Sequence, residues 1–344
     1  MNTTQFPSIT LLIAAYNEES CLAKKIENSL SLAYPNDKKQ IVVITDGSND
    51  SSFEICKQFV EVTALHQPER RGKMAAIDRA METITTDIVV FSDANTDLNI
   101  TSLTHIAEAF ADPKVGMVAG EKRVTSANSE SGIANEGLYW KYESWLKKLD
   151  SDTTTVVGAA GELFAIRTSL HKPLPSDTIL DDFMLSMEVI KAGYRIKYVP
   201  EAYAIESSSL NLAEEWKRKV RISAGGIQST VRSFSIANPF KYGWISFSYL
   251  VHRIARWTIA PLALLISLIS SMGLVFVDID YAPISILSLL AVLFTLISIK
   301  KGVIFLPGPL KTIIYFLFMN FSVIAGWFRY AKGSQTVLWE KAKR

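Results

Sequence analysis

What the chain has little of narrows its class first. It has only two cysteines, Cys21 and Cys56. That pair gives no metal-ligand spacing and no disulfide framework, and it suits a reducing compartment. The formal net charge is only +2. Whole-chain charge therefore draws it to no polyanion, and no nucleic-acid partner is expected. Internal repeats and low-complexity linkers are missing. No Gly-x-Gly-x-x-Gly follows the first apolar run, which argues against a dehydrogenase. Residues 1–8 are polar, and Ile9–Ala15 is too short for a secretory signal. The polar part of the chain is therefore expected to stay on the cytosolic side.

Charge is missing altogether from three later runs, Trp257–Val277, Ala282–Ile299 and Thr312–Phe328. Each approaches the roughly 20 residues that cross a bilayer as a helix. Buried core helices are the other explanation, but three such runs would leave no polar face for water. Trp257, Tyr281, Trp327 and Tyr330 stand at the run ends, as in an aromatic belt. Arg253 and Arg256 precede the first run, Asp278 and Asp280 follow it, and Lys300 and Lys301 close the second. That asymmetry starts and ends the first pair on the cytosolic side. A third crossing would put Arg329, Lys332 and the final KAKR outside, against the same rule. Either the third run is a hairpin or re-entrant element around Pro307-Gly308-Pro309, or the tail is an exception. Residues 203–245 place Trp216, Phe234, Phe240, Tyr242 and Trp244 among basic residues, as in a helix lying on a membrane surface. The expected division is 1–235 cytosolic, 236–256 an amphipathic interface segment, 257–330 about three transmembrane helices, and 331–344 a basic tail.

The first part reads as α/β. Ser8–Ala15 is a buried strand, with a helix following to about Ser31. Gln40–Thr45 is a second strand and 51–60 a helix. Val62–Gln67, the helix Lys73–Thr83 and the strand Asp87–Ser92 continue the alternation. Short connections between such elements predict a parallel, doubly wound sheet flanked by helices. Ligands bind such sheets at the carboxyl ends of the strands. Tyr16, Asp46 and Asp93 stand just past those ends.

Several short stretches there carry chemistry, each with a plainer explanation beside it. Asp46, in Asp-Gly-Ser, suits a ribose hydroxyl or a base N–H, and equally a turn or helix cap. Arg70, Arg71 and Lys73 surround Gly72 at a helix start. Cations there oppose the helix dipole unless an anion such as a diphosphate joins them; a solvated basic loop is the alternative. Asp93-Ala94-Asn95 offers hard oxygens beyond a buried strand, enough for a divalent cation or for a capping turn. Asp97 lies close but at a different spacing. The small residues of VVGAAGELFAIR, 156–167, let backbone approach a ligand, or simply allow tight packing. Asp181-Asp182 opens an amphipathic segment, as a helix cap or as the seat of a general base. Arg218 and Arg221 share one helical face, for phosphate or for a membrane surface.

In this order the motifs resemble the family 2 glycosyltransferases with the GT-A fold, over roughly residues 8–230. The apolar half extends the similarity to bacterial exopolysaccharide, hyaluronan, chitin and cellulose synthases. The resemblance implies that Ala14, Tyr16, Glu18 and Asp46 surround the nucleotide base and ribose. Lys73 touches the diphosphate and Arg221 joins the donor site. Asp93 is the first carboxylate of the family's Asp-x-Asp motif, with Asn95 in the second place, so both hold Mg²⁺ or Mn²⁺. Gly158, Gly161, Glu162 and Asp181 border the acceptor, and Asp182 is the catalytic base. The processive Gln-x-x-Arg-Trp motif keeps only Arg221 here, which favours transfer of one sugar over polymerisation. The implied partners are a nucleotide-diphosphate sugar (a UDP-sugar first), a glycan or lipid-linked acceptor, and the bilayer of the cell membrane. The implied reaction is direct displacement with inversion. A membrane-tethered nucleotidyltransferase and a non-catalytic nucleotide-sugar sensor are the alternatives. Asn95→Asp is expected to tighten metal binding if Asn95 faces the ion.

Overall fold

The computed structural model describes residues 6–125, 134–207, 211–304, 306 and 308–336. These residues form two compact units. The first runs to Thr125 and adds Tyr142–Ser207; the second holds the described residues from Asn211 to Thr336, with the start of the helix at Ala134. Pro307 and residues 337–344, part of the expected hairpin and most of the expected basic tail, lie outside the described residues.

The first unit is one sheet with helices around it. Its strands and helices alternate: β1 (Ile9–Ala15), α1 (Leu22–Leu30), β2 (Lys39–Asp46), α2 (Ser52–Lys57), β3 (Val62–Gln67), α3 (Lys73–Met81) and β4 (Ile88–Asp93). The short β5 (Asp97–Leu98), α4 (Ser102–Ala109), β6 (Val115–Thr125), α5 (Ala134–Thr153), β7 (Leu163–Arg167), α6 (Asp181–Lys191) and β8 (Arg195–Ser207) follow. The strand order is β3-β2-β1-β4-β7-β6-β8-β5. β1 (ITLLIAA) and β4 (IVVFSD) are mostly apolar and buried because helices cover both faces of the sheet. On one face Leu11, Ile13, Val43 and Val90 meet Leu22 and Ile26 of α1 and Leu103 and Ile106 of α4 in one buried core.

β1 to β4 are parallel, as the helical crossovers predict. The whole sheet is mixed, since β7 runs antiparallel to both β4 and β6. The run Leu163–Ile166 is apolar and buried, and burial does not encode direction. Chain order reverses at β1, which lies between β2 and β4. The crevice beyond the carboxyl ends of such strands is where α/β sheets bind ligands. There Ala14 lies beside Asp93 and Ala15 beside Thr45 in register.

The second unit is helical: α7 (Leu212–Arg232), α8 (Pro239–Tyr242), α9 (Trp244–Tyr249), α10 (Ile259–Gly273), α11 (Ala282–Lys301) and α12 (Gly308–Ala331). Asn211 caps α7 by accepting the Glu214 N–H at 3.0 Å. Three helical segments, Ile259–Phe276, Ile279–Lys301 and Gly308–Ala331, are long and apolar enough to cross a membrane. The third is one continuous helix and not a hairpin, because no proline or glycine turn interrupts it after Pro309. α7 packs on α12 through small residues: a Cβ on Gly326 would lie 2.6 Å from Ser223 Cβ. That packing places α7 in the helical unit, ahead of the boundary expected at 235. Phe240 is fully exposed and Trp244 is 72% exposed within this unit. Bare aromatics of this kind suit a membrane interface better than water.

Candidate active site

The site grows from the ends of β2 and β4. Asp46 closes β2, and its carboxylate accepts the N–H groups of Arg71 (3.1 Å) and Gly72 (2.6 Å) and Nη2 of Arg79 (3.2 Å). The basic loop 69–72 is thus wrapped around a buried anion, and in this state the Asp46 oxygens serve the loop. Gly47 permits the turn with φ +67°, and a Cβ there would lie 2.5 Å from Arg70 N. Gly47→Ala is expected to cost about 1–3 kcal/mol for the backbone conformation alone, with more for the clash, read as a lowered urea midpoint. Arg70 stacks its guanidinium 3.7 Å from the centre of the Tyr16 ring. Tyr16 and Arg70 therefore make a flat cationic face beside Ala14. Glu18 shapes the same loop: its N–H donates to Ser52 Oγ at 2.9 Å, and its Oε2 accepts from Cys21 Sγ at 3.2 Å.

The centre of the site is an acid cluster around one ammonium. Lys73, the first residue of α3, lies 2.9 Å from Asp93 Oδ1 and 3.6 Å from Asp181 Oδ2. These carboxylates compensate the cation at the helix start. Burial works against the Lys73 charge, but Asp181 and Asp93 outweigh it and raise its pKa. Asp181 Oδ2 is buried and makes no hydrogen bond. Asp182 accepts the Phe183 N–H at 2.7 Å. Burial and then the Asp181 charge push the Asp182 carboxyl up to about 7, against the opposing pull of Lys73. Gly161 passes directly over this pair: a Cβ there would lie 3.3 Å from Asp182 Oδ2 and 3.9 Å from Lys73 Nζ. Gly158 is buried, with φ +107°.

Two buried lysines escape a reading of the sequence. Lys25 of α1 donates to Ser92 Oγ (2.7 Å) and to the Thr96 carbonyl (2.8 Å), and so clamps the turn that carries Asp93 and Asn95. Burial lowers its pKa to about 7 although Asp93 and Asp97 favour its charge. Its signal was a lysine between Leu22, Ile26 and Ser29 on the buried face of α1. Lys122 of β6 pairs with both Glu162 and Glu206. Asn95 Nδ2 in turn donates to Glu206 Oε1 at 3.4 Å. Asp97 turns away to Lys24 at 2.5 Å.

The fold thus gathers Lys73, Asp93, Gly161, Asp181 and Asp182 directly. Asn95 and Glu162 are linked through Glu206 and Lys122. Ala14, Tyr16, Glu18 and Asp46 stand at the adjoining strand ends. Arg221 lies on α7 in the second unit, half-buried, and Arg218 is held by Glu215 at 3.0 Å. Among the described residues no three His, Cys, Asp or Glu side chains form a metal cluster. An ion of the Mg²⁺ type does not need one, because it takes one or two carboxylates and completes its shell with water and phosphate oxygens. Asp93, 32% exposed at its strand end, and the amide two residues on fit that requirement.

The glycosyl transferase family 2 profile matches residues 10–174. These residues form a family 2 glycosyl transferase domain. The match begins in β1 and covers the Asp46 loop, Lys73, the Asp93–Asn95 turn and Glu162. The chain is 29% identical over 245 residues to the poly-β-1,6-N-acetyl-D-glucosamine synthase of Staphylococcus aureus (strain COL), covering 68% of this chain and 58% of that protein. The Staphylococcus epidermidis protein of the same name is 27% identical over 237 residues, 67% of this chain and 57% of its own. The chain thus spans under two thirds of the length of these relatives. The family 2 domain with its helical unit also resembles the structure of a mannosyltransferase from Pyrobaculum calidifontis, solved with GDP-Man and Mn²⁺. The TM-score is 0.72 at 22% identity, over 95% of this chain and 88% of that one, a likeness of fold.

Proposed function

We propose that the chain is an inverting glycosyltransferase. It moves a sugar from a nucleoside-diphosphate donor to a hydroxyl of a glycan or lipid-linked acceptor, in the synthesis of an extracellular polysaccharide or cell-envelope glycan. The observation that carries this reading is the pair Asp181-Asp182, just past the matched residues 10–174, set around the same Lys73 ammonium as Asp93 and under Gly161. In this reading the chain is multi-pass in the cell membrane, with its α/β unit in the cytosol.

The residues take the following parts. The Tyr16–Arg70 face receives the nucleotide, and the basic loop held by Asp46 and the Lys73 ammonium receive the diphosphate. Asp182 accepts the proton of the acceptor hydroxyl. The freed oxygen attacks the anomeric carbon while the bond from that carbon to the diphosphate breaks on the opposite face. Gly161 leaves room for the acceptor against Asp182. Bound Mg²⁺ or Mn²⁺ supplies neutralising charge to the diphosphate, and Asp93 and Asn95 would hold it. UDP-sugars, then GDP-sugars, are the first donors to screen, by slow hydrolysis without acceptor.

A base with pKa near 7 is half-protonated at neutral pH, and only its ionised form accepts a proton. Transfer kcat/KM is therefore expected to rise with pH through about 7. Asp181→Asn removes the repelling charge, so this limb moves to lower pH. A pH profile of kcat/KM for both proteins checks the assignment; coincident limbs would remove it.

A further inference from the structure

Asn95 leaves the metal motif one carboxylate short, yet the fold sets another carboxylate behind it. Glu206 lies 111 residues away in sequence. Its side chain is 4% exposed and is fixed by the ammonium of Lys122, which also holds Glu162. Asn95 presents Nδ2 to Glu206 Oε1. A carboxylate only accepts hydrogen bonds, and an amide has one donating end and one accepting end. The contact therefore fixes which end of the amide faces Glu206, and the oxygen faces away from it. An aspartate at 95 would set like charges side by side in a part-buried place, which is unfavourable.

We infer that Glu206, anchored by Lys122, is a positioning residue: it holds the Asn95 amide by its nitrogen and so turns the Asn95 oxygen toward the cation side. The inference rests on the reading of Asp93 and Asn95 as the cation site. It changes the meaning of the Asn95 departure. The amide is the residue that a neighbouring carboxylate requires, and Asn95→Asp alone is not expected to tighten metal binding.

A double-mutant cycle on the full chain in detergent tests this, with Mn²⁺ as the probe, alone and with UDP or GDP. Free Mn²⁺ is counted by electron paramagnetic resonance, so no turnover is needed, and melting temperature monitors the fold. Asn95→Asp is expected to leave Mn²⁺ affinity unchanged or weaker, and Glu206→Gln to weaken it. In the Glu206→Gln background, Asn95→Asp should instead tighten it, with a coupling on the order of tenfold. Additive effects, or tightening by Asn95→Asp with Glu206 present, overturn the inference. If Glu206→Gln does not fold, the single Asn95→Asp variant decides by the same criterion. Asp93→Asn separates the two levels: unchanged Mn²⁺ binding there removes the cation site itself, and the inference with it.

Discussion

Asp182→Asn is expected to lower sugar transfer by about 10²–10⁴-fold, the range a positioned general base contributes, while nucleotide binding stays within about twofold because the nucleotide face of Tyr16 and Arg70 is untouched. Loss of fold is the competing explanation for any such loss, and here the electrostatics separate the two. The Asp182 pKa is raised in the folded state, mainly by burial and next by Asp181. A carboxylate whose folded pKa exceeds its unfolded value binds more protons folded than unfolded. Between about pH 4 and 7 the protein therefore loses stability as pH rises. Replacing the charge with an amide removes that loss. The inactive variant should melt higher than the wild type at pH 8, and close to it at pH 4. Donor hydrolysis and transfer, measured with thermal melts at both pH values, check this together. Near-normal turnover would remove Asp182 from the reaction; a variant that melts lower at pH 8 would show that the carboxylate stabilises the fold instead.

The same case shows what could be read before the structure. Asp93 and Asp46 were legible because each closes a run of buried, helix-alternated strand, and the carboxyl edge of such a sheet is a place defined by local pattern. Asp181-Asp182 was legible as acids opening an amphipathic helix. The direction of β7 was not, since an apolar run reads alike in both directions. Nor were Lys25 and Lys122 legible. Lys122 sits in Gly-Glu-Lys-Arg, which reads as a solvated strand end, and its partners Glu162 and Glu206 come from other parts of the sheet. Local periodicity carries no information about a partner forty or eighty residues away. The Asn95 departure was visible at once, but its explanation lay in that unseen set.

Lys122→Met is expected to destabilise the protein by about 3–5 kcal/mol, the range for removing one partner of a buried ion pair. Lys122 is 2% exposed and its ammonium faces two carboxylates, of which Glu206 is also buried. Methionine fills a similar volume and leaves no large cavity, so the loss comes from charge. Glu162 and Glu206 lose the cation they share, and their like charges repel. Only ionised carboxylates repel, so the deficit should be largest at pH 8 and smaller at pH 5. Urea denaturation at the two pH values measures it. The triple variant Lys122→Met, Glu162→Gln, Glu206→Gln should recover most of the stability, since neutral amides need no counter-charge. Its recovery would nevertheless leave Mn²⁺ binding weak, because the carboxylate that orients the Asn95 amide is gone. Stability and metal affinity therefore part company in one protein. A purely structural Lys122 set would return both, and a deficit that ignores pH would show that packing, not charge, is what Lys122 supplies.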